Sequence, residues 1–258
     1  MVQAPAYAPG TPIWVDLASH DLEQSSAFYS GLFGWDASAV PAPEAGGYTF
    51  FKLDGKTVAG LGRAQSPQQP AAWSTYLLST DADATAASVS AAGGSTVAPP
   101  FDVMGQGRMA VFTDPTGAFF SVWQPISMNG AELFNAPGAL AWNELATRDI
   151  GTARTFYAKV FDWSFKESPM GDTGAYTEFQ IDGRPVAGGM GMGAHYPAEV
   201  PAHWLPYFGV VDVDAAIEKV QALGGRVLSP VVTLPFGRFA MVTDPAGAGF
   251  AVFEMGNG

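Results

Sequence analysis

The sequence predicts an α+β chain in which one short unit, a strand followed by a helix and two or three further strands, is used four times. Three observations lead there. Trp14, Phe28-Tyr29, Trp35 and Asp54-Gly55 recur at one constant offset as Trp142, Phe156-Tyr157, Trp163 and Asp182-Gly183. Each half then divides again into two strand-and-helix patterns. Finally, 31 glycines and 20 prolines in 258 residues supply the tight turns that short strands need.

The elements follow in order. "IWVDLA" alternates as a strand, and a helix runs from about Leu22 to Phe33, N-capped by Asp21. "YTFFKLDGKTVAGLG" reads as a hairpin whose Asp54-Gly55 suits a type I′ turn. After a Pro-rich connection, "WSTYLLST" is a strand, Asp81 is the next N-cap, and Gly93-Gly94 stops the second helix. "GRMAVFTDPTGAFFSVW" closes as another hairpin, with Pro second and Gly fourth in its turn. "DVDAAIEKVQALGG" and "GRFAMVTDPAGAGFAVF" repeat these signals, and the chief insertion is "GAHYPAEVPAH" against "AQSPQQPAA". The expected division is a tail at 1–11, a domain at 12–124, a linker at 125–138 ("PISMNGAELFNAPG", which lacks either periodicity) and a second domain at 139–256.

Composition narrows the function classes. At 48% hydrophobic and 14% charged the chain can bury a core. A net charge of −12 with only 12 basic residues argues against a nucleic-acid partner and against anionic membranes. Without cysteine there is no disulfide, thiolate nucleophile or thiolate metal site. "MVQAPAYAPGTP" lacks the basic and apolar regions of a signal peptide, and no run approaches the roughly 18 apolar residues of a membrane span. The expectation is a cytoplasmic monomer or homodimer with a small-molecule ligand.

"DLEQSSAFYSGLFGW" and "DIGTARTFYAKVFDW", the helix-leading Asp81 and Asp212, and the turns "DPTGAFFSVW" and "DPAGAGFAVF" resemble the glyoxalase/bleomycin-resistance/extradiol-dioxygenase group. This group is also called vicinal oxygen chelate, and the likeness is to its two-domain actinobacterial type. It covers nearly the whole chain after residue 12. The resemblance implies βαβββ modules, four in all, each pair forming a curled mixed sheet around a cavity with the helices outside. The two domains would then each be glyoxalase-like.

Many members of that group bind a divalent metal through His and Glu. The resemblance puts those slots here at Trp14, Trp142, Ser74, Leu205, Ser121 and Ala251, and the strands "TVAGLG" and "PVAGGMG" add no His, Glu or Asp. A divalent ion needs three or more convergent N or O ligands. His20 precedes a helix cap and His195 lies in the insertion, so both read as solvated; His203 starts a strand and reads as solvated too, with the mouth of a cavity as the alternative. No metal and no cofactor are expected, which argues against glyoxalase I or extradiol chemistry. Fold resemblance does not carry activity with it.

Strand alternation maps the candidate site. Asp16 shares the face of Trp14, while Ile13, Val15 and Leu17 point at the helix; Glu144 shares the face of Trp142. Strands disfavour Asp, and a buried unpaired carboxylate costs several kcal/mol, so that face should be a cavity. Tyr48, Phe50 and Lys52 are placed on it, with Tyr176, Glu178 and Gln180 in the copy. Phe119, Ser121 and Trp123 form the other flank, matched by Gly249, Ala251 and Phe253, with Tyr76 and Tyr207 alongside. Asp16 and Glu144 are the candidate catalytic acids and bases. Trp14, Tyr48, Phe50, Tyr76, Ser121, Trp123, Trp142, Tyr176, Glu178, Tyr207 and Phe253 are the candidate ligand-binding residues. With Lys52 near Asp16 and Glu178 near Glu144, like charge would raise the proton affinity of Glu144, pointing to the second cavity.

Bland alternatives stand beside this. The carboxylates could pair with Arg108 and Arg238, and the tryptophans could plug the sheets. The Phe-Tyr pairs read as packing, and glycines 60, 62, 188, 189 and 191 as barrel bends. Three functional readings follow. The preferred one is a metal-independent acid/base enzyme acting on a small aromatic or polyketide-like molecule, in secondary-metabolite tailoring or detoxification. The others are a non-catalytic drug- or metabolite-binding resistance protein and a metal-dependent enzyme with atypical ligands.

Overall fold

The computed structural model describes residues 7–170, 174–193 and 196–256. Four modules follow one another. The first is β1 (Pro12–Ser19), α1 (Leu22–Phe33), β2 (Asp36–Ala39), β3 (Thr49–Leu53) and β4 (Lys56–Arg63). The second is β5 (Ala72–Leu78), α2 (Ala82–Ala91), β6 (Ser95–Val103), β7 (Gly107–Thr113) and β8 (Phe119–Pro125). The third is β9 (Leu140–Thr147), α3 (Ile150–Phe161), β10 (Ser164–Pro169), β11 (Ala175–Ile181) and β12 (Arg184–Gly191). The fourth is β13 (His203–Val210), α4 (Val213–Ala222), β14 (Arg226–Val227), β15 (Val232–Leu234), β16 (Gly237–Thr243) and β17 (Gly249–Met255). Two mixed sheets result, with strand orders β2-β3-β4-β1-β5-β8-β7-β6 and β10-β11-β12-β9-β13-β17-β16-β14, β15 pairing with β16.

Local chemistry explains the elements. Asp21, Asp81, Asp149 and Asp212 each accept a backbone N–H in the first turn of the helix that follows. Asp54-Gly55 and Asp182-Gly183 both hold positive φ at the two central positions, as a type I′ turn requires. In the Asp114-Pro115-Thr116-Gly117 turn, Gly117 N–H donates to Asp114 O at 3.0 Å, and the Asp114 side chain accepts from the Thr116 and Ala118 amides.

Two compact units form, and they interleave the tandem halves. One takes the chain up to Trp14 with Thr75–Gly130 and Asn143–Trp204; the other takes Val15–Ser74, Ala131–Trp142 and the chain from Leu205 onward. In the second unit α1 packs with α4. Val15, Leu17, Phe28, Tyr29, Trp35, Phe51, Trp73, Phe208, Val220 and Phe250 make its core. Each fully buried Phe contributes roughly 1.5–3 kcal/mol. In the first unit α2 packs with α3 around Leu77, Val89, Phe112, Phe120, Leu145, Phe156, Tyr157, Trp163 and Trp204. Helices and core thus lie on the strand face opposite the two carboxylates.

One buried network appears in both units. Trp73 donates to the Tyr29 hydroxyl at 3.0 Å, and Tyr29 donates to Asp244 Oδ2 at 3.2 Å. In the other unit Trp204 donates to Tyr157 at 2.8 Å and Tyr157 to Asp114 at 3.1 Å. Burial raises both tyrosines well above the usual phenol range, and the nearby aspartates raise them further. The Phe-Tyr pairs therefore do more than pack: they tie a helix to the Asp-Pro turn of another module.

The segment expected as a linker is docked. Glu132 accepts from Thr57 N–H at 2.6 Å, Leu133 and Phe134 pack on the core, and the Trp35 indole donates to Gly138 O at 2.7 Å. Among the described residues no helix is long and apolar enough to cross a membrane.

Candidate functional site

Asp16 and Glu144 occupy the same slot in β1 and β9, and each sits in its own compact unit. Asp16 is half-buried and stands opposite Gly60 of the parallel neighbour β4, which in turn faces Phe50 of β3. Tyr48, just ahead of β3, donates its hydroxyl to Asp16 Oδ2 at 3.1 Å. The reach depends on glycine. A Cβ at Gly60 would collide with the Tyr48 hydroxyl, and one at Gly62 would press on the ring at 3.3 Å. Gly60 and Gly62 are thus a seat for Tyr48, where the sequence had suggested barrel bends. Phe50 meets Tyr48 edge-on at 5.5 Å between centroids.

Tyr48 also lines an open, largely polar cleft of about 450 Å³ with Glu44, Gly46, Gly62, Arg63 and Gln65, and Asp16 lies behind Tyr48, outside that lining. Lys52 does not stand in the Asp16 row; it pairs across with Asp36 and Thr57, beyond a bulge, so Phe50 is the neighbour that counts.

Glu144 is 8% exposed. Its row continues through Gly188 of β12 to Glu178 of β11, so the expected neighbour Glu178 does share its face. Gln180 donates to Glu178 Oε1 at 2.6 Å. Tyr176 pairs with Met190, which stands where the first half has Gly62. Tyr196, from the insertion, has its phenol raised by burial first and by the Glu144 charge second. Sequence reasoning missed Tyr196, because an irregular insertion carries no periodicity to place it. Glu44 was missed because the connection between β2 and β3 carries no periodicity, and Arg63 because it is the last residue of β4, one beyond the hairpin read from the sequence.

The remaining predicted residues divide by burial. Tyr76 pairs with Ser121, and Leu78 with Trp123, on one face; Tyr76, Ser121 and Trp123 are all buried, and Trp123 donates to Met128 O at 2.7 Å. Phe119, at the strand end, is 60% exposed. Trp14 is buried. In the second unit Leu205, Tyr207 and Ala251 form a buried apolar cluster, with Trp142, Phe239, Met241 and Phe253 half-buried against it.

Two alternatives are corrected. Arg108 binds Asp83 and Asp102, both at 2.9 Å, and Arg238 binds Asp214 at 2.9 Å and Glu254 at 3.4 Å. Neither arginine serves Asp16 or Glu144, because each points along the hairpin toward its own unit's helix start. His20 contacts Gln69 O at 2.7 Å and His203 contacts Pro201 O at 2.9 Å; His195 lies outside the described residues.

The two tandem segments 12–122 and 139–252 match the family model of the Glyoxalase/Bleomycin resistance protein/Dioxygenase superfamily. The chain is 43% identical to the anthracycline biosynthesis protein DauV of Streptomyces sp. (strain C5), covering 96% of this chain and 94% of that one. It is 42% identical to the anthracycline biosynthesis protein DnrV of Streptomyces peucetius, over 98% and 96% of the two chains. Its fold matches the Mn(II)-bound glyoxalase from Novosphingobium aromaticivorans with a TM-score of 0.65 at 19% identity, over 96% and 83%. The ligand slots implied by the fold do not fit a divalent cation here. Trp14 is a buried indole, Leu205 and Ala251 belong to an apolar cluster, and among the described residues no three His, Asp or Glu side chains converge. The repeated modules, the paired sheets and these matches agree that the chain belongs to the glyoxalase/bleomycin resistance protein/dioxygenase superfamily.

Proposed function

We propose that this chain is a metal-independent tailoring enzyme of secondary metabolism that binds a flat, hydroxylated, polyketide-like aromatic and moves a proton on it. The observation that carries the reading is a carboxylate hydrogen-bonded to a tyrosine, Asp16 with Tyr48, where the tyrosine lines an open cleft. The kinship with two anthracycline biosynthesis proteins supports the ligand class. Asp16 takes a proton from an acidic C–H next to a ligand carbonyl, leaving an enolate, and the carboxylic acid returns the proton to carbon or oxygen. We take Asp16 rather than Glu144, which like charge had favoured, as the base, because its partner Tyr48 lines the cleft. The enzyme works in the cytoplasm.

The test is deuterium exchange into the acidic methylene of a hydroxylated anthrone in heavy water, followed by mass spectrometry. Wild type should accelerate exchange, chelators should leave the rate unchanged, and Asp16→Asn should cut it by about 100–10,000-fold. Tight binding of the anthrone without any catalysed exchange would turn the reading into that of a sequestering protein. Loss of activity on chelation would restore a metal enzyme.

A further inference from the structure

The Tyr48 hydroxyl has a direction, and that direction selects a ligand chemistry. Its proton is given to Asp16 Oδ2 at 3.1 Å, while the same residue lines the cleft. A phenol that donates to a carboxylate becomes the more electron-rich acceptor, because hydrogen bonds in a chain polarise one another. The ring is held in that pose by the room over Gly60 and Gly62. The copy keeps Gly188 in the place of Gly60 but has Met190 in the place of Gly62, paired with Tyr176.

Resting on the reading of an aromatic ligand, we infer that the Asp16–Tyr48 pair is a hydroxyl-recognition site. A phenolic or enolic O–H of the ligand donates to the Tyr48 oxygen, and Asp16 is the charge behind it. The site therefore selects ligands carrying a free hydroxyl over the same ring system with that hydroxyl alkylated. The opposite orientation, a ligand carbonyl accepting from Tyr48, would take the Tyr48 proton away from Asp16 and so lose the 3.1 Å bond that the fold holds in place.

Calorimetric titration with a dihydroxyanthraquinone and with its dimethyl ether tests this. Wild type should bind the hydroxylated compound about 10-fold more tightly than the ether, the worth of a hydrogen bond backed by a charge. Tyr48→Phe should erase that preference, bringing the affinity for the hydroxylated compound down to that for the ether. Gly60→Ala, whose methyl would meet both the Tyr48 hydroxyl and Asp16 Cβ and so part the pair without removing either residue, should erase it too, and near-ultraviolet dichroism would report that both variants are folded. A preference that survives in both variants overturns the inference. If both compounds bind wild type equally while the anthrone exchange persists, only the inference falls. If neither binds and no exchange is catalysed, the wider reading falls with it.

Discussion

The Asp16 and Glu144 sites began as the same slot and now differ in what surrounds the carboxylate. Around Asp16 the row runs through Gly60 to Phe50, and Tyr48 lies across glycines to reach the acid from the cleft side. Around Glu144 the row runs through Gly188 to a second acid, Glu178, and a methionine takes the second glycine's place. The scaffold beneath them has not diverged in this way, because the Trp–Tyr–Asp network is built alike in both units. The buried polar bonds are alike in the two units, while the carboxylate faces of the same strands differ. The physical reason is that a buried donor left unpaired costs about 1–3 kcal/mol, whereas a residue facing a cleft answers only to its ligand.

The largest expected effect lies in the carboxylates themselves. Asp16→Asn should reduce anthrone exchange by about 100–10,000-fold, and Glu144→Gln by much less. Equal losses in the two variants would break the comparison, and a dominant loss in Glu144→Gln would reverse it. The scaffold should behave in the opposite way. Tyr29→Phe and Tyr157→Phe each orphan an indole N–H and take one donor from a buried carboxylate that keeps its backbone donors, so each should lower stability by about 1–3 kcal/mol and by similar amounts. Chemical denaturation reads this directly, and a marked inequality would show that the units are not equivalent underneath.

Next comes the seat. Gly62→Met copies the second half into the first, so Tyr48 should be pushed off Asp16 and dihydroxyanthraquinone affinity should fall by about 10-fold. Unchanged affinity would show that the glycine seat does not govern the site. A smaller effect is spectroscopic. Glu144→Gln removes the charge that helps to raise Tyr196, so one phenol should titrate at lower pH in the ultraviolet difference spectrum. The sign for stability follows. A phenol raised in the folded state contributes its full stability below its ordinary value of 10.0, and that contribution is lost as pH climbs above it. Glu144→Gln should therefore flatten the loss of stability above that pH. Smallest of all, Arg108→Ala should leave binding and exchange untouched, since its partners are Asp83 and Asp102. A changed exchange rate would reopen a link to Asp16.

The sequence by itself determined whatever is settled within a few residues or by repetition. The caps at Asp21, Asp81 and Asp212 and the Asp-Gly turns were legible because a carboxylate reaches an amide two or three positions on, and a positive φ selects its residue locally. So was the placing of Asp16 on the face opposite Val15 and Leu17, because strand alternation has a period of two. Only the tertiary structure decided that α1 shares a core with α4, that Tyr29 answers Asp244, and that Arg108 turns to Asp83. Two tandem copies offer each motif two equivalent partners, and repetition cannot choose between them. The choice rests on which surfaces bury together, as when the Phe28 ring fills the space a side chain at Gly225 would need while Phe156 does the same at Gly94. The Tyr48 bond to Asp16 belongs to the same class. It depends on space left over Gly60 when three strands are brought side by side, and that space exists only once the sheet has formed.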